Sequence, residues 1–143
     1  MSTSSHRSWA TAVVDQLNAE RAEQGLGPLH RSTKLNASAH RHNLAMAKKN
    51  TMSHRLPEEK ALGSPVTAAR YRWSACGENI GWNSDRSKDG VLALETMMYG
   101  EVAPDDGHRR NILSTTFTDV GMDVVEDKTH GKVWLTTDFG TPR

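Results

Sequence analysis

The chain of 143 residues carries a single cysteine, Cys76. One thiol excludes an internal disulfide framework and every CxxC metal or redox motif. No run of 18 apolar residues is present, so no membrane span is predicted. The net charge is only +1, which gives no electrostatic case for a nucleic-acid or acidic-membrane partner. The start, Met-Ser-Thr-Ser-Ser-His-Arg-Ser, lacks the apolar stretch of a signal peptide. That leaves a cytosolic protein and a trimmed exported one both open. Also missing are the GxSxG elbow, HExxH, a Walker loop and GxGxxG. Their absence counts against a conventional serine hydrolase, zincin or nucleotide enzyme, though not against catalysis by dispersed residues. Internal repeats and low-complexity tracts are absent too.

What is present suits one soluble domain: 36% apolar and 24% charged residues, with enough length for a real core. Residues 1–7 read as a flexible polar tail and residues 8–143 as the domain. A first helix is expected from a Ser8 cap to about Gln24, with Trp9, Ala10, Val13, Val14 and Leu17 on one face. Gly25 and Gly27-Pro28 end it. A second runs from Ser32 or Thr33 to about Lys49, with Leu35, Ala39, His42 and Met46 as its buried stripe. His42 on that stripe reads as a core histidine satisfied by hydrogen bonds, and His40 as solvated. Ser64-Pro65 opens a short third helix through Tyr71. A fourth runs from Asp85 or Ser87 to about Glu101, its stripe Val91, Leu94, Met98 and Val102. Glu95 and Glu101 flank that stripe on opposite sides, and periodicity does not choose between them.

Three strands are expected. Gly77 to Asn83 places Glu78, Ile80 and Trp82 on one face and Asn79 and Gly81 on the other. A carboxylate among apolar neighbours needs a partner, which marks Glu78. Thr118–Val125 and Lys132–Phe139 alternate and pair through a polar hairpin loop, Glu126 to Gly131, with His130 solvated at its tip. Cys76, between Trp73 and Ile80, reads as a buried inert thiol. Trp9 and Trp134 read as packing residues. Helices first and antiparallel strands last give an α+β layered fold.

The chain is organised around Asp106-Gly-His-Arg-Arg-Asn-Ile-Leu113. It reads as a short helical turn that Asp105 and Asp106 can cap, with Ile112 and Leu113 on its apolar side. Polar partners for His108 could come from Met52-Ser-His54, Gly77-Glu-Asn-Ile80 and Met98-Tyr-Gly-Glu101.

Together with Leu17-Asn-x-x-Arg21 and Gly27-Pro-Leu29, these motifs resemble the CAP superfamily: cysteine-rich secretory proteins, antigen 5 and pathogenesis-related 1 proteins. The Gly-His-Arg form with one cysteine is similar to the compact bacterial, SCP-like branch. The resemblance implies a three-layer α-β-α sandwich with a central antiparallel sheet. It implies a cleft with two His and two acidic residues, here His54, Glu78, Glu101 and His108. Met98 replaces the aromatic that precedes the second acid in the family, which leaves Glu95, Asp105 and Asp106 as rivals to Glu101. The longer aromatic Gly-His motif of animal and plant members is missing, as are their disulfides. Secretion or a cell-surface location is implied by the family.

Two imidazoles and a carboxylate can fill three of zinc's four positions and leave one for water or substrate. Without metal the same groups form His–carboxylate hydrogen bonds. Three functions follow from this set. The first is a binding module, expected as a monomer, whose cleft takes a divalent cation, zinc foremost, and a lipid, sterol or protein ligand. The second is a metal-dependent, peptidase-like hydrolase with His54 and His108 on the ion, Glu78 as ligand or general base, and Glu101 as orienting group. The third is a structural domain whose tetrad only braces the cleft.

Overall fold

A computed structural model describes residues 3–55, 66–67 and 69–143. Its centre is one sheet built from β1 (Thr3–Ser5), β2 (His30–Arg31), β3 (Trp73–Asn83), β4 (Asp119–Asp127) and β5 (Lys132–Pro142). The strand order is β1-β4-β5-β3, with β2 also on β4. All pairings are antiparallel except β2 with β4. The helices are α1 (Arg7–Glu23), α2 (Thr33–Lys49), α3 (Lys88–Tyr99) and α4 (Gly107–Ile112).

The period of two divides each long strand between two layers. Val120, Met122, Val124, Val133, Leu135 and Phe139 face α1 and α3, where they meet Val13, Leu17, Val91 and Leu94. The alternate residues face α2: Trp134 packs on Met46, Ala47 and Ile80. Close approach on this side needs a glycine. A Cβ on Gly121 would sit 2.1 Å from the backbone carbon of Leu35. The result is the expected α-β-α sandwich.

Ser32 caps α2 by accepting from the Leu35 amide at 3.2 Å, and Asn50 ends it in the left-handed region. Ser87 caps α3 in the same way through Gly90. Other boundaries differ from the sequence reading. β3 begins at Trp73, four residues before the predicted start. α1 starts at Arg7 with no side-chain cap, so Ser8 lies inside it. Thr3–Ser5, within the predicted tail, is a strand that completes the outer edge of β4. His6 stacks on Trp9 with ring centroids 3.6 Å apart and reaches Glu126 at 3.0 Å. A three-residue polar strand offers only its backbone to a ladder, so it has no apolar alternation to reveal it. The same holds for β2. Of the predicted third helix, Ser64, Pro65 and Ala68 lie outside the described residues; Val66–Thr67 are helical, but Ala69–Arg70 form a turn and Tyr71 is not helical, so the helix does not run through Tyr71.

Two histidines expected to be solvated have carboxylate partners. His40 meets Asp123 at 3.1 Å, and His130 meets Asp127 at 2.6 Å. The Asp127 carboxyl also takes the Trp134 indole N–H at 3.2 Å, so its charge is held inside the sheet.

Candidate functional site

The Leu17-Asn-x-x-Arg21 motif positions the site from a distance. Asn18 exchanges hydrogen bonds with the backbone of Leu29, fixing the loop after α1. Arg21 is buried and donates to Gly27 O, Ile112 O and Ser114 O, each at 2.8 Å. Its guanidinium thereby satisfies orphan carbonyls at the end of α4 and fixes the helix that carries His108.

The start of α4 is held differently from the sequence expectation. Asp106 occupies the cap position but makes no side-chain cap hydrogen bond, and pairs instead with Arg110 at 3.2 Å. Glu101 does the capping. Its Oε1 accepts from the amides of His108 at 3.0 Å and Arg109 at 3.2 Å. Its Oε2 lies 2.6 Å from His108 Nδ1. One carboxylate therefore orients both the helix and its imidazole, with the anion at the positive end of the peptide dipoles. Among the rival acids, Glu95 is fully buried on the far side of α3 and has no part in this arrangement.

The other histidine pair stands on β3 and α2. Glu78 faces α2, on the same side as Ile80 and Trp82, as the alternation predicts. Its Oε1 lies 3.0 Å from His54 Nδ1 and 3.7 Å from His42 Nε2. His42 is buried on the α2 stripe and bonds Ser53 O at 2.7 Å. This core histidine ties down the loop that delivers His54. Partial desolvation lowers the His54 pKa below its ordinary value. A neutral ring is the form that can accept a cation.

One member of this cluster escaped sequence reading. Asp138 stands directly across from Glu78 in the β3–β5 ladder and is completely buried. Burial, and then the Glu78 carboxylate, push its pKa far above the usual range, and the Ser38 hydroxyl and His42 pull the other way. Burial beside a second carboxyl therefore favours the protonated form of Asp138. An aspartate at an inward position of a strand was the available signal, but its partner depends on strand register. Cys76, two residues before Glu78, is half-buried, short of the full burial expected, and its thiol pKa is raised by desolvation first and then by the neighbouring acidic groups.

The two pairs are joined by an amide clasp. Asn111 Nδ2 donates to Asn79 Oδ1 at 2.8 Å and to Glu78 O at 3.3 Å. Asn79 Nδ2 donates to His108 O at 3.1 Å. The Gly-Glu-Asn and Gly-His-Arg-x-Asn motifs thus lock onto each other. His54 and His108 each give Nδ1 to a carboxylate, and neither Nε2 is hydrogen-bonded among the described residues. Among the described residues, no group of three or more His, Cys, Asp or Glu side chains is gathered to hold a metal ion. Imidazole nitrogens are a donor type that a divalent cation takes, and no closed structural zinc site is formed among the described residues.

Comparison with known proteins agrees with this architecture. YkwD, an uncharacterized protein of Bacillus subtilis (strain 168), is 32% identical over 140 residues, covering 96% of this chain and 49% of YkwD. The chain thus spans about half the length of that relative. A crystal structure of an extracellular protein containing an SCP domain, from Bacillus anthracis str. Ames, is 25% identical with a TM-score of 0.79. The match covers 94% of this chain and 40% of that one. NaASP2, solved with Zn2+, has a TM-score of 0.66 at 14% identity, over 95% of this chain and 80% of its own. No helix among the described residues is long and apolar enough to cross a membrane. Residues 14–139 match the cysteine-rich secretory protein family, and the chain belongs to that CAP family.

Proposed function

We propose that this chain is an extracellular CAP binding module whose cleft takes a divalent cation, zinc foremost, through His54 and His108. Glu78 and Glu101 orient the two rings. The observation that carries this reading is the shared polarity of the two imidazoles: each turns Nδ1 to a carboxylate and keeps Nε2 unengaged among the described residues. A carboxylate behind an imidazole fixes its tautomer and raises the basicity of the other nitrogen. Two imidazoles leave coordination positions to water or to ligand atoms, so the cation is exchangeable and can bridge to a partner. The fold likeness to NaASP2, solved with Zn2+, supports the choice of cation, and the extracellular Bacillus anthracis neighbour supports export. Met52 and Val102 are exposed apolar residues next in sequence to the Ser53-His54 and Glu101 positions, and Trp82 is 41% exposed on β3. They suit a lipid, sterol or apolar protein surface as the ligand.

The test is a calorimetric zinc titration at neutral pH on the parent, His54→Ala and His108→Ala. Stoichiometric binding is expected, weakened about tenfold or more by either substitution. No binding, or binding that survives both changes, sinks the reading and leaves the two pairs as hydrogen-bonded braces.

A further inference from the structure

A second concavity lies at the N-terminal end of β3, and no residue of either histidine pair lines it. Its volume is about 620 Å³, bounded by Lys34, Thr67, Arg70, Tyr71, Arg72, Trp73 and Arg143. Four of these seven side chains are cationic and none is acidic. The volume is that of a small-molecule site.

Among the described residues, this corner gathers charge of one sign. Arg143 donates its amide to Arg72 O at 3.0 Å, extending the β3–β5 ladder and placing two arginines side by side. Like charges opposed across a ladder repel. Lys34 sits in the first turn of α2, where the helix dipole disfavours a cation, and no acidic residue shares that turn. Arg70 holds a left-handed backbone at φ 68°, a strained conformation for a residue with a Cβ. The four heads have no carboxylate partner among the described residues; the Arg86–Glu126 and Arg110–Asp106 pairs lie elsewhere. Charge and strain are thus concentrated around one hollow.

The aromatic walls are fixed, in contrast. The Trp73 indole N–H donates to Thr67 Oγ1 at 3.0 Å. The Tyr71 hydroxyl donates to Asp119 at 2.7 Å, and its ring lies against Gly140, where a Cβ would come within 2.7 Å. Rigid rings with exposed guanidinium groups beside them form a surface for a flat or apolar group that carries an anion. Guanidinium matches phosphate oxygens in a bidentate fork, and several converging cations favour a multiply charged anion.

We infer that the cavity lined by Lys34, Arg70, Tyr71, Arg72, Trp73 and Arg143 binds a phosphate-bearing small molecule with an apolar moiety. The phosphate could belong to a soluble ester or to a phospholipid headgroup, and the test separates these. Phenyl phosphate and inorganic phosphate are titrated calorimetrically into the whole chain at low salt. Vesicles of phosphatidylglycerol in phosphatidylcholine are assayed by co-sedimentation. The variants are Arg70→Ala/Arg72→Ala and the charge-matched control Arg86→Ala/Lys128→Ala.

Saturable phenyl phosphate binding is expected, tighter than inorganic phosphate and weakened by salt. The paired arginine variant should lose about tenfold or more, and the control little. Binding confined to the vesicles, with the same dependence on Arg70 and Arg72, assigns the phosphate to a headgroup. Absence of both kinds of binding, or an equal loss in the control, overturns the inference. Arg70→Gly guards against a folding artefact. It removes the charge and relieves the backbone, so Tm should hold or rise while binding falls.

Discussion

The two faces of the sheet are equally buried and chemically opposite. β5 shows this within one strand. Val133, Leu135 and Phe139 point to α1 and α3, and Trp134, Thr136 and Asp138 point to α2, all at 0% exposure. The first face is filled by aliphatic volume, which many arrangements could supply. The second is specified by hydrogen bonds. Asn43 donates to Asp123 O at 2.8 Å and to its carboxylate at 2.9 Å, and accepts from Thr136 Oγ1 at 2.6 Å. Dispersion and area burial tolerate small shifts, whereas a dry hydrogen-bond network fixes one geometry. The specified face is the one that holds Glu78 and, through His42 and Ser53, His54. The side that must aim a functional group is built from polar contacts, and the side that supplies bulk stability is built from volume.

Two glycines test this contrast most severely. A Cβ on Gly121 meets α2 backbone at 2.1–2.2 Å, where nothing can yield without moving a helix. A Cβ on Gly81, on the other face, meets the end of the Met98 side chain at 3.0 Å. Gly121→Ala should cost about 3 kcal/mol or more in urea unfolding, and Gly81→Ala under about 1 kcal/mol, because a methionine methyl can move aside. Equal losses would break the distinction between a fixed face and an adaptable one.

Next in size is Asn43→Ala. It leaves the Asp123 carbonyl and the Thr136 hydroxyl without a buried partner, and should cost about 2–3 kcal/mol. It should also loosen the site if the network aims it. The check is urea unfolding together with the line widths of the His42 and His54 ring protons. A stability loss with unchanged ring dynamics would confine the network to bulk stability.

The apolar face has a buried carboxyl pair of its own. Glu95 is fully buried against Glu20, itself bonded to Gln16 Nε2 at 3.1 Å. Burial, then contact with Glu20, raises the Glu95 pKa well above its ordinary value, which favours its protonated form beside Glu20. The unfolded chain releases that proton at ordinary glutamate pH and the folded chain keeps it. The folded state therefore binds more protons through this window, and stability falls as pH rises from near 4.5 towards the raised value. Glu95→Gln keeps the hydrogen bond without the ionisation. It should flatten that part of the Tm–pH curve and raise Tm at neutral pH. An unchanged curve would mean that Glu95 keeps no proton in the fold.

These features were unequally legible in the sequence. The face of Glu78 followed from alternation alone, and the burial of His42 from its helical stripe. The choice between Glu95 and Glu101 does not, because both flank the stripe of the helix expected from sequence; that helix ends at Tyr99, which leaves Glu95 packed against α1 and Glu101 on the path into α4. Glu101 also took the capping role assigned to Asp105 and Asp106, since a long side chain six residues upstream can fold back on the helix start. Asp138 and His40 share one reason for being unreadable: their partners lie across a strand register or a helix–sheet contact that local periodicity does not encode. His130 differs, because its partner Asp127 is three residues away and is reached through the turn's own geometry, which strand alternation does not describe. The strand at Thr3–Ser5 offers only backbone groups, so its sequence has no pattern to find.

The smallest expected effect separates the two histidine pairs from each other. The His54 side chain is 58% exposed and bonds one carboxylate that has other neighbours, Asp138 and His42. His108 lies in a helix whose first amides share its carboxylate. His54→Ala should therefore change stability by no more than about 0.5 kcal/mol, as exposed substitutions do, while zinc affinity falls. Glu101→Ala should cost about 1–2 kcal/mol, because α4 loses its only side-chain cap among the described contacts. Paired urea and calorimetric titrations measure both quantities on the same samples. If His54→Ala instead unfolds the chain as readily as Glu101→Ala, the ring is a structural strut, and its outward Nε2 is a by-product of packing with no cation to receive.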